Sequence, residues 1–427
     1  MFEIFFDKSV ILNKSNNISF GINIPKFKKN VLKIDQPFEG EGNAYYKIIK
    51  NRNLYQLYYR GINKPVWLNK EKKIPNPTEA VTEFEEIYKV DSKDGLNFTN
   101  KLCLSKKKEN IDVIKKNNFC HNFFPYYDQK NKRYIAISGT DLINKGIFLF
   151  ESRNGSDWTK LKKIISGKDI LPGWTHINHF DSHNSIVYNP LDDYYYIYIR
   201  DNKPNRRFIQ YTKTKDFNIF TKFKNIIIEN DDKNGIYNFN VFMYPNSYYF
   251  IALPCISNQL NLTQKLSNKI LYSLNGENWF YLSKEFINLK TSYFIANNIV
   301  NSIDNKEVYF YIHDKWSAKE NCLDCYSTGK DRISIIICEG EGFIQTKLIN
   351  LTNNNITINY KCLKDDGWIN VELIDIEDNI FMKSENYKGN IIDKLVTWDI
   401  DSQLFIPNKY YIKFIMFNCK LYSYSYS

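Results

Sequence analysis

The chain of 427 residues is long enough for two or three domains, and a composition of 43% hydrophobic and 25% charged residues is typical of a globular protein. Aromatic residues make up 16%, with 32 Tyr and 30 Phe against only 12 Pro and 17 Gly. These proportions exclude a disordered or collagen-like chain and disfavour a helical bundle. Because aromatic and β-branched side chains pack well on a pleated surface, the composition predicts a β-rich protein.

The formal net charge of +11 comes mainly from lysine, because only eight of the 58 basic residues are arginine. Arginine is the residue that recognises phosphate and guanine in a bidentate manner. The lysines are scattered, often beside Asn, Ile, Tyr or Phe, and all of these residues have A/T-rich codons. We therefore attribute the charge to an A/T-rich genome, of a virus or a microbe, and expect no nucleic-acid partner.

Targeting and membrane signals are not expected in this chain. The segment Met1–Asp7 lacks the basic and apolar regions of a signal peptide, and no window approaches the roughly 18 apolar residues that span a bilayer. A cytoplasmic or virion-associated protein without a membrane span is therefore expected. The eight cysteines show no framework pattern and Cys322-x-x-Cys325 stands alone, so reduced cysteines are the expectation.

A short pattern, which we call the turn box, recurs four times and predicts the architecture. It consists of Ser or Thr, any residue, Asp or Asn, usually Gly, and an aromatic residue three positions later. The copies begin at Ser92, Ser152, Thr214 and Ser273, so that successive starts are 60, 62 and 59 residues apart, and each copy follows a short apolar strand. A side-chain acceptor beside a residue with positive φ is typical of a tight hairpin.

The repeat predicts an all-β fold, a five-bladed β-propeller followed by a small C-terminal β-sandwich. Further strand pairs precede the boxes, as at Tyr45–Ile49 with Tyr55–Tyr59, and four strands in about 60 residues are typical of a propeller blade. The predicted domains are N-terminal strands at 1–36 that pack on the sandwich or the propeller, the propeller at 37–349 and the sandwich at 350–427. The fifth unit has no box, and its strands are predicted at Glu307–Ile312 and Arg332–Ile337. The alternative is a β-sandwich in which the spacing is accidental.

Several segments resemble the five-bladed propeller proteins grouped with glycoside hydrolase families 32 and 43. The matching segments are Pro37-Phe38-Glu39-Gly40, Tyr55–Gly61, His121-Asn122-Phe123, Phe180–Asn184, Tyr198–Asp201 and, near the C-terminus, Gly367–Leu373. The resemblance implies the propeller, the C-terminal sandwich and a glycosidase-like site in the axial funnel. It departs from the family at Phe38, where Trp is usual, and at Glu41, where a second carboxylate is unusual.

Glycoside hydrolysis requires two carboxylates at the scissile bond, and two acids precede blades at the points where a funnel would form. We predict Glu39, before the first blade, and Asp181, before the third blade, as the catalytic pair. The resembling enzymes have a third acid in the second blade, where this chain has His121 and Asn122 instead. Glu41 or Asp201 could supply that acid.

Polar residues near these acids are predicted to bind the sugar by hydrogen bonds to its hydroxyl groups. The predicted binding residues are His121, Asn122, His183, Asn184, Arg200, Asp201 and Trp174. Trp174 and Trp316 offer ring faces for stacking on a sugar. The alternative interpretation of His176, His179, Asp181 and His183 is a metal cluster, with an ion near His179 and His183. We expect no metal and no cofactor.

The leading hypothesis is therefore a glycoside hydrolase whose substrate is a carbohydrate bound in the axial funnel. The alternative is a non-catalytic glycan-binding or structural propeller, a surface or virion component. The replacement of the middle acid by His121 and Asn122 favours this alternative, because a lectin needs hydroxyl partners and aromatic rings but no acid–base pair.

Overall fold

The computed structural model describes residues 2–36, 39, 43–62, 85–114, 119–140, 146–171, 180, 182–203, 206–231, 233–257, 266–283, 286–287, 289, 294–314, 321–399 and 407–427. The chain divides into two compact units. One comprises Lys26–Ile303 and Tyr309–Ser327, and the other comprises Met1–Pro25, Asp304–Val308 and Thr328–Ser427. Three short helical turns occur among the described residues, at Lys8–Val10, Leu104–Lys106 and Lys108–Ile111. No helix within those ranges is long and apolar enough to cross a membrane.

The larger unit contains five sheets of mainly antiparallel strands, which are the blades of a β-propeller. From the innermost strand outward, the first blade consists of Ala44–Asn51, Leu54–Ile62, Glu85–Ser92 and Thr99–Cys103. The second blade consists of Phe124–Asp128, Arg133–Thr140, Gly146–Ser152 and Thr159–Ser166. The third blade consists of Ser185–Asn189, Tyr194–Lys203, Arg206–Thr214 and Lys224–Asn225. The fourth blade has Gly235–Met243, Phe250–Ser257, Ile270–Ser273, Asn278–Ser283 and the short strands Ile227–Ile228 and Ser267–Asn268. The prediction of an all-β, five-bladed propeller is confirmed.

The fifth blade joins the two ends of the propeller. Its strands are Phe294–Ile295, Val300–Asn301, Glu307–Asp314, Asn321–Gly329 and Lys26–Ile34. The outermost strand therefore comes from the segment that precedes the first blade. Asn321–Gly329 occupies the third position, where the sequence predicts Arg332–Ile337, because residues from Ser334 onward pair with the C-terminal strand instead.

The turn boxes form the predicted hairpins. In the second blade, the Ser152 hydroxyl accepts hydrogen bonds from the backbone N–H groups of Asn154 and Gly155, at 3.3 and 2.9 Å. The Asn154 side-chain oxygen accepts from the N–H groups of Ser156 and Asp157, both at 2.9 Å. Gly155 has φ +70°, a conformation that a residue without Cβ adopts at no steric cost.

Each of three turn boxes accepts a hydrogen bond from a tyrosine of the preceding blade. Tyr58, Tyr198 and Tyr311 donate their hydroxyls to the carbonyls of Gly155, Gly276 and Gly95 in the next blade, at 3.0, 2.8 and 2.8 Å. The third-blade box has Phe217, at φ +61°, where the others have Gly. The second blade correspondingly has Ile137 in place of the tyrosine, and Ile137 and Phe217 share one buried cluster. The degenerate box is thus matched by an apolar partner.

This contact predicts that Gly155→Ala lowers the free energy of unfolding by about 1–3 kcal/mol. A Cβ at Gly155 would lie 2.5 Å from the Tyr58 hydroxyl oxygen, in a backbone conformation that alanine rarely adopts. Urea denaturation measures the change. Gly167→Ala is the matched control, since a Cβ there meets no atom within 4 Å, and it should change stability by less than about 0.5 kcal/mol. Equal effects of the two substitutions would contradict the role of the contact.

The smaller unit contains one ten-stranded sheet. Its strands are Phe2–Glu3, Ile11–Lys14, Ile18–Ile22, Ser334–Thr346, Ile349–Leu351, Ile356–Cys362, Trp368–Ile374, Ile380–Lys383, Asn390–Leu395 and Asn408–Tyr426. The 19-residue strand Asn408–Tyr426 pairs with five of the others. Alternate residues of this strand, such as Ile412, Phe414 and Met416, enter a buried apolar cluster.

Candidate active site

Eight side chains from the first four blades meet near the beginnings of the innermost strands. We call this set the axial cluster. Its members are Tyr45, Arg60, Glu85, His121, His183, Arg200, Arg207 and Tyr237, and ring, ion-pair and hydrogen-bond contacts connect them. Three of them, His121, His183 and Arg200, are among the residues predicted from the sequence. The cluster is the strongest candidate for an active site among the described residues.

A carboxylate–imidazole pair forms the polar centre of the axial cluster. Glu85 Oε1 lies 2.7 Å from His121 Nδ1 and 3.4 Å from the Arg60 guanidinium. The Glu85 side chain is fully buried, whereas that of His121 is 21% exposed. A carboxylate at Nδ1 fixes the orientation of an imidazole. The Arg60 guanidinium also lies 3.0 Å from His121 Nδ1 and 3.3 Å from Nε2. His121 is therefore held by a buried acid while it remains accessible.

Tyr45 occupies the middle of the cluster because the first innermost strand is irregular there. The pairing with the next strand shifts register between Ala44 and Lys47, and Tyr45 has φ +59°, which is uncommon for an aromatic residue. Its ring stacks on His183 at 5.1 Å and meets His121 edge-on at 5.6 Å. Arg60 lies over the ring at 4.6 Å. Strained backbone of this kind is concentrated at functional sites.

His183 is a buried imidazole that stays neutral. Burial lowers the pKa of His183 to about 3, and the positive charge of Lys47 contributes to this lowering. Neither ring nitrogen makes a hydrogen bond of normal geometry to a described residue. Burial also lowers the pKa of Lys47 to about 7. Its ammonium binds Asn297 Oδ1 at 2.5 Å and lies 4.4 Å from the Phe124 ring centroid.

Asn122 and Asn184, predicted to bind sugar, make hydrogen bonds to backbone groups. Both donate to the carbonyl oxygen of Phe180, at 2.5 and 3.1 Å. The Asn122 oxygen also accepts from the Ser138 hydroxyl and from the Gly139 N–H, at 2.9 and 2.8 Å. These contacts hold the Phe180 carbonyl, three residues before His183, and the sugar-binding role of both residues stays a prediction.

Glu39 is fully buried, and its carboxylate accepts hydrogen bonds from three groups. Its Oε1 accepts hydrogen bonds from the Tyr59 hydroxyl at 2.5 Å and from the Lys101 ammonium at 2.6 Å. Its Oε2 accepts from the backbone N–H of Gln36 at 3.1 Å. Lys101 belongs to the outermost strand of the first blade, so these contacts join the entry segment to that blade.

Arg200 and Asp201 are neighbours whose side chains serve different environments. The Arg200 guanidinium lies 5.5 Å from the Tyr237 ring centroid. Tyr237 in turn places its hydroxyl 3.5 Å from that of Tyr45. Asp201 accepts from Asn225 at 2.7 Å, on the outermost strand of its own blade. Alternation along the strand separates the two side chains, and Arg200 alone joins the axial cluster.

Several predicted residues lie outside the described ranges: Phe38, Glu41, Trp174, His176, His179, Asp181 and Trp316. Their roles stay predictions. Among the residues that the structure does describe, no group of three or more His, Cys, Asp or Glu side chains is arranged to hold a metal ion.

A second feature of the larger unit is a cavity of about 460 Å³. It is lined by the later residues of the innermost strands, including Lys50, Tyr127, Val187 and Met243, whereas the axial cluster lies where these strands begin. Lys47 borders the cavity as well.

Five members of the axial cluster were not predicted from the sequence: Tyr45, Arg60, Glu85, Arg207 and Tyr237. Arg60 and Arg207 could have been singled out from the sequence, since arginine is rare in this lysine-rich chain. Glu85 begins the third strand of its blade, whereas catalytic acids were expected at the first strand. The contacts of Tyr45 depend on the register shift, which no residue pattern in the segment indicates.

The fold of the chain is shared with solved structures of other proteins. No protein-family model matches the chain, and the comparison with curated proteins finds no match. The structure is similar to that of BT0996 in its RGII complex (TM-score 0.51, 10% identity, 72% of this protein and 92% of the other covered). It is equally similar to a glycoside hydrolase (TM-score 0.50, 10% identity, 72% and 94%). The catalytic domain of a GH62 α-L-arabinofuranosidase from Coprinopsis cinerea also matches (TM-score 0.47, 10% identity, 71% and 98%).

Two of these three neighbours are named as glycoside hydrolases, one of them an α-L-arabinofuranosidase. The resemblance predicted from the sequence is therefore confirmed at the level of the fold. Identity of about one residue in ten carries no information on substrate or mechanism, so these must be argued from the site itself.

Proposed function

We propose that the chain is a glycoside hydrolase that binds a carbohydrate at the axial cluster and cleaves it there. The observation that carries the proposal is the buried Glu85 carboxylate 2.7 Å from the partly exposed His121 imidazole. The fold shared with glycoside hydrolases makes hydrolysis of a glycosidic bond the reaction class to test first.

His121 is the proposed proton-transfer group. In the reaction, water forms a bond to the anomeric carbon, the glycosidic C–O bond breaks, and the leaving oxygen receives a proton. An imidazole can accept the proton of the water or supply that of the leaving group, since its pKa lies near neutrality when unperturbed. Glu85 would orient the ring, with its carboxylate on Nδ1. The sequence-predicted Asp181 is the proposed second carboxylate.

The Tyr237 ring, which is partly exposed, suits a sugar ligand, because aromatic faces pack against the C–H groups of a sugar ring. Tyr45 is buried and its ring is covered by His183 and Arg60, so its role is to hold these side chains and the Tyr237 hydroxyl, 3.5 Å from its own, in place. The positive φ of Tyr45 supports this role, because the ring is held among these side chains at a conformational cost.

Glu39 is a less suitable acid than His121. Its carboxylate is fully buried and already accepts from Tyr59, Lys101 and Gln36. These contacts favour a structural role for Glu39. The Glu39→Gln variant should therefore have a lower melting temperature than the wild type but keep most of the activity.

The proposal is tested with a panel of aryl glycosides and polysaccharides. We expect the wild-type chain to cleave at least one member. Asp181→Asn should then lower kcat by about 10²-fold or more, whereas Glu39→Gln should keep most of it. If the wild type cleaves a substrate and the Asp181→Asn variant cleaves it equally well, the assignment of Asp181 is wrong. If Glu39→Gln abolishes cleavage in a folded protein, Glu39 and not His121 is the acid.

A second candidate function is glycan binding without catalysis. In the described part of the axial cluster Glu85 is the one carboxylate, and it is engaged with Arg60 and His121. Retaining and inverting hydrolases usually need a pair of carboxylates. Binding of a glycan that the wild type never cleaves, with loss of binding in Tyr45→Ala, would establish this alternative.

A further inference from the structure

Three of the eight cysteines lie side by side in the sheet of the smaller unit. Cys419, on the long strand Asn408–Tyr426, is directly opposite Cys338 on one neighbouring strand and directly opposite Cys362 on the other. Residues that are directly opposite in antiparallel strands present their side chains to the same face of the sheet. The three thiols therefore form a row across three adjacent strands.

Cys362 and Cys419 have the backbone spacing of a cross-strand disulfide. The Cys362 N–H donates to the carbonyl oxygen of Gly389 at 2.7 Å, on the side of its strand away from the long strand. Cys362 and Cys419 are therefore a non-hydrogen-bonded pair, in which the Cα atoms of antiparallel strands lie about 4.5 Å apart. Disulfides join Cα atoms that are about 4.4–6.8 Å apart, so this pair can be bridged without a rearrangement of the backbone.

The two thiols of this pair differ in exposure. Cys362 is half-buried, whereas Cys419 is completely buried, and both are free thiols in the structure. Burial and the adjacent Cys362 thiol raise the pKa of Cys419, so the thiolate of Cys419, its nucleophilic form, is rare at neutral pH. An oxidant from solution therefore meets Cys362 first, and Cys419 is placed to attack the product.

Cys338 is a less suitable partner for Cys419. Its thiol donates to the carbonyl oxygens of Gly340 and Met416, at 3.3 and 3.5 Å. The pairing of its strand with the long strand shifts register directly after Cys338. Cys338 is also completely buried, so neither thiol of a Cys338–Cys419 pair is accessible to an oxidant in the folded chain.

We propose that Cys362 and Cys419 form a reversible, stabilising disulfide when the chain meets a small disulfide oxidant such as oxidised glutathione. The Cys362 thiolate attacks one sulfur of the oxidant, the S–S bond of the oxidant breaks, and one thiol is released. Cys419 then attacks the Cys362 sulfur of the mixed disulfide, and the second thiol is released. Two electrons pass from the protein to the oxidant, and the protons of the two cysteines end on the two released thiols. This site does not depend on the proposed function.

The bond would join the two ends of the segment 363–418. This segment contains the strands Trp368–Ile374, Ile380–Lys383 and Asn390–Leu395 of the smaller unit. A cross-link across a long segment stabilises a protein mainly by restricting the unfolded chain. Oxidation should therefore raise the urea midpoint of the wild-type chain, and dithiothreitol should reverse the shift. An unchanged midpoint in a chain that carries the bond would overturn its stabilising role.

Peptide mapping of the full chain after incubation with oxidised glutathione tests the pairing. Remaining thiols are alkylated before digestion, and trypsin places the three cysteines in separate peptides, residues 333–347, 362–364 and 414–420. We expect 362–364 to be linked to 414–420 at least about tenfold more often than any other pair, since the two thiols are held in proximity. Predominant linkage of 333–347 to 414–420, indiscriminate pairing or the absence of any linkage would overturn the proposal.

Two variants and a control assign the roles of the two cysteines. Cys419→Ser should retain glutathione on Cys362, because the resolving thiol is gone, whereas Cys362→Ser should form neither the mixed disulfide at this position nor the linked peptides. Cys103→Ser is the matched control, since Cys103 is also half-buried but its thiol lies beside Glu86 and Ser105, and the linkage should be unchanged. Glutathione that persists on Cys362 equally in the wild type and in Cys419→Ser would contradict the role of Cys419.

Discussion

Replacing Glu85 by Gln is expected to lower kcat/KM by about 10²–10⁴-fold on any glycoside that the wild-type chain cleaves, the range typical of losing an acid–base group. The substitution keeps the size of the side chain but removes the charge that lies 2.7 Å from His121 Nδ1. The imidazole then loses the carboxylate that fixes its orientation. Steady-state kinetics with the most reactive substrate measure the change.

His121→Gln should cause a loss of similar size, and the double variant should be little worse than either single variant. Groups that act as one unit lose their contribution when either is removed. Glu86→Gln is the matched control on the same strand, because Glu86 interacts with Ser105, in the short helical turn that follows the outermost strand of the first blade. Fully additive losses at Glu85 and His121, in variants with native circular dichroism, would show that the two residues do not cooperate.

Acidification is expected to destabilise the chain through His183. The native pKa of His183 is lowered to about 3 by burial and by Lys47, while an unfolded histidine titrates near 6.5. Between pH 3 and pH 6.5 the unfolded state therefore binds a proton at His183 that the native state does not bind. The stability is fully present above pH 6.5 and is lost as the pH falls from 6.5 toward 3, by at most about 5 kcal/mol in total.

Urea denaturation between pH 7 and pH 5 measures this dependence. His183→Gln removes the titrating group, so the variant should start less stable at pH 7 and lose less stability on acidification than the wild type. The slope attributable to His183 approaches about 1.4 kcal/mol per pH unit below pH 6. Parallel pH profiles for the two proteins would contradict a neutral, buried His183.

The regular part of the fold could be predicted because its signals are local. A turn box needs only Ser152, Asn154 and Gly155 to close its hairpin, and the hydrogen bonds within those residues reproduce the pattern read from the sequence. Repetition every 60 residues then determines the blade count. Even the degenerate box at Thr214 was recognisable by its spacing from the other copies, and Phe217 there adopts the positive φ of the missing glycine.

The fifth blade and the site depended on contacts that are distant in sequence. Lys26–Ile34 reads as one strand among several, and its pairing with Asn321–Gly329 joins segments about 290 residues apart, as in the 292-residue separation of Asn30 and Cys322. Glu85 and His121 belong to different blades and meet only when these pack together. The register shift at Tyr45 has no local signature, so its contacts emerge only in the folded structure.

The axial cluster is the proposed carbohydrate site. Its most direct test is a crystal structure of the wild-type chain with a thio-linked, non-hydrolysable analogue of the glycan that binds best on a glycan array. We expect a sugar ring packed on Tyr237, with a sugar oxygen within hydrogen-bonding distance of His121. A glycan bound in the cavity beside Lys50 and Met243, with the axial cluster unoccupied, would contradict it.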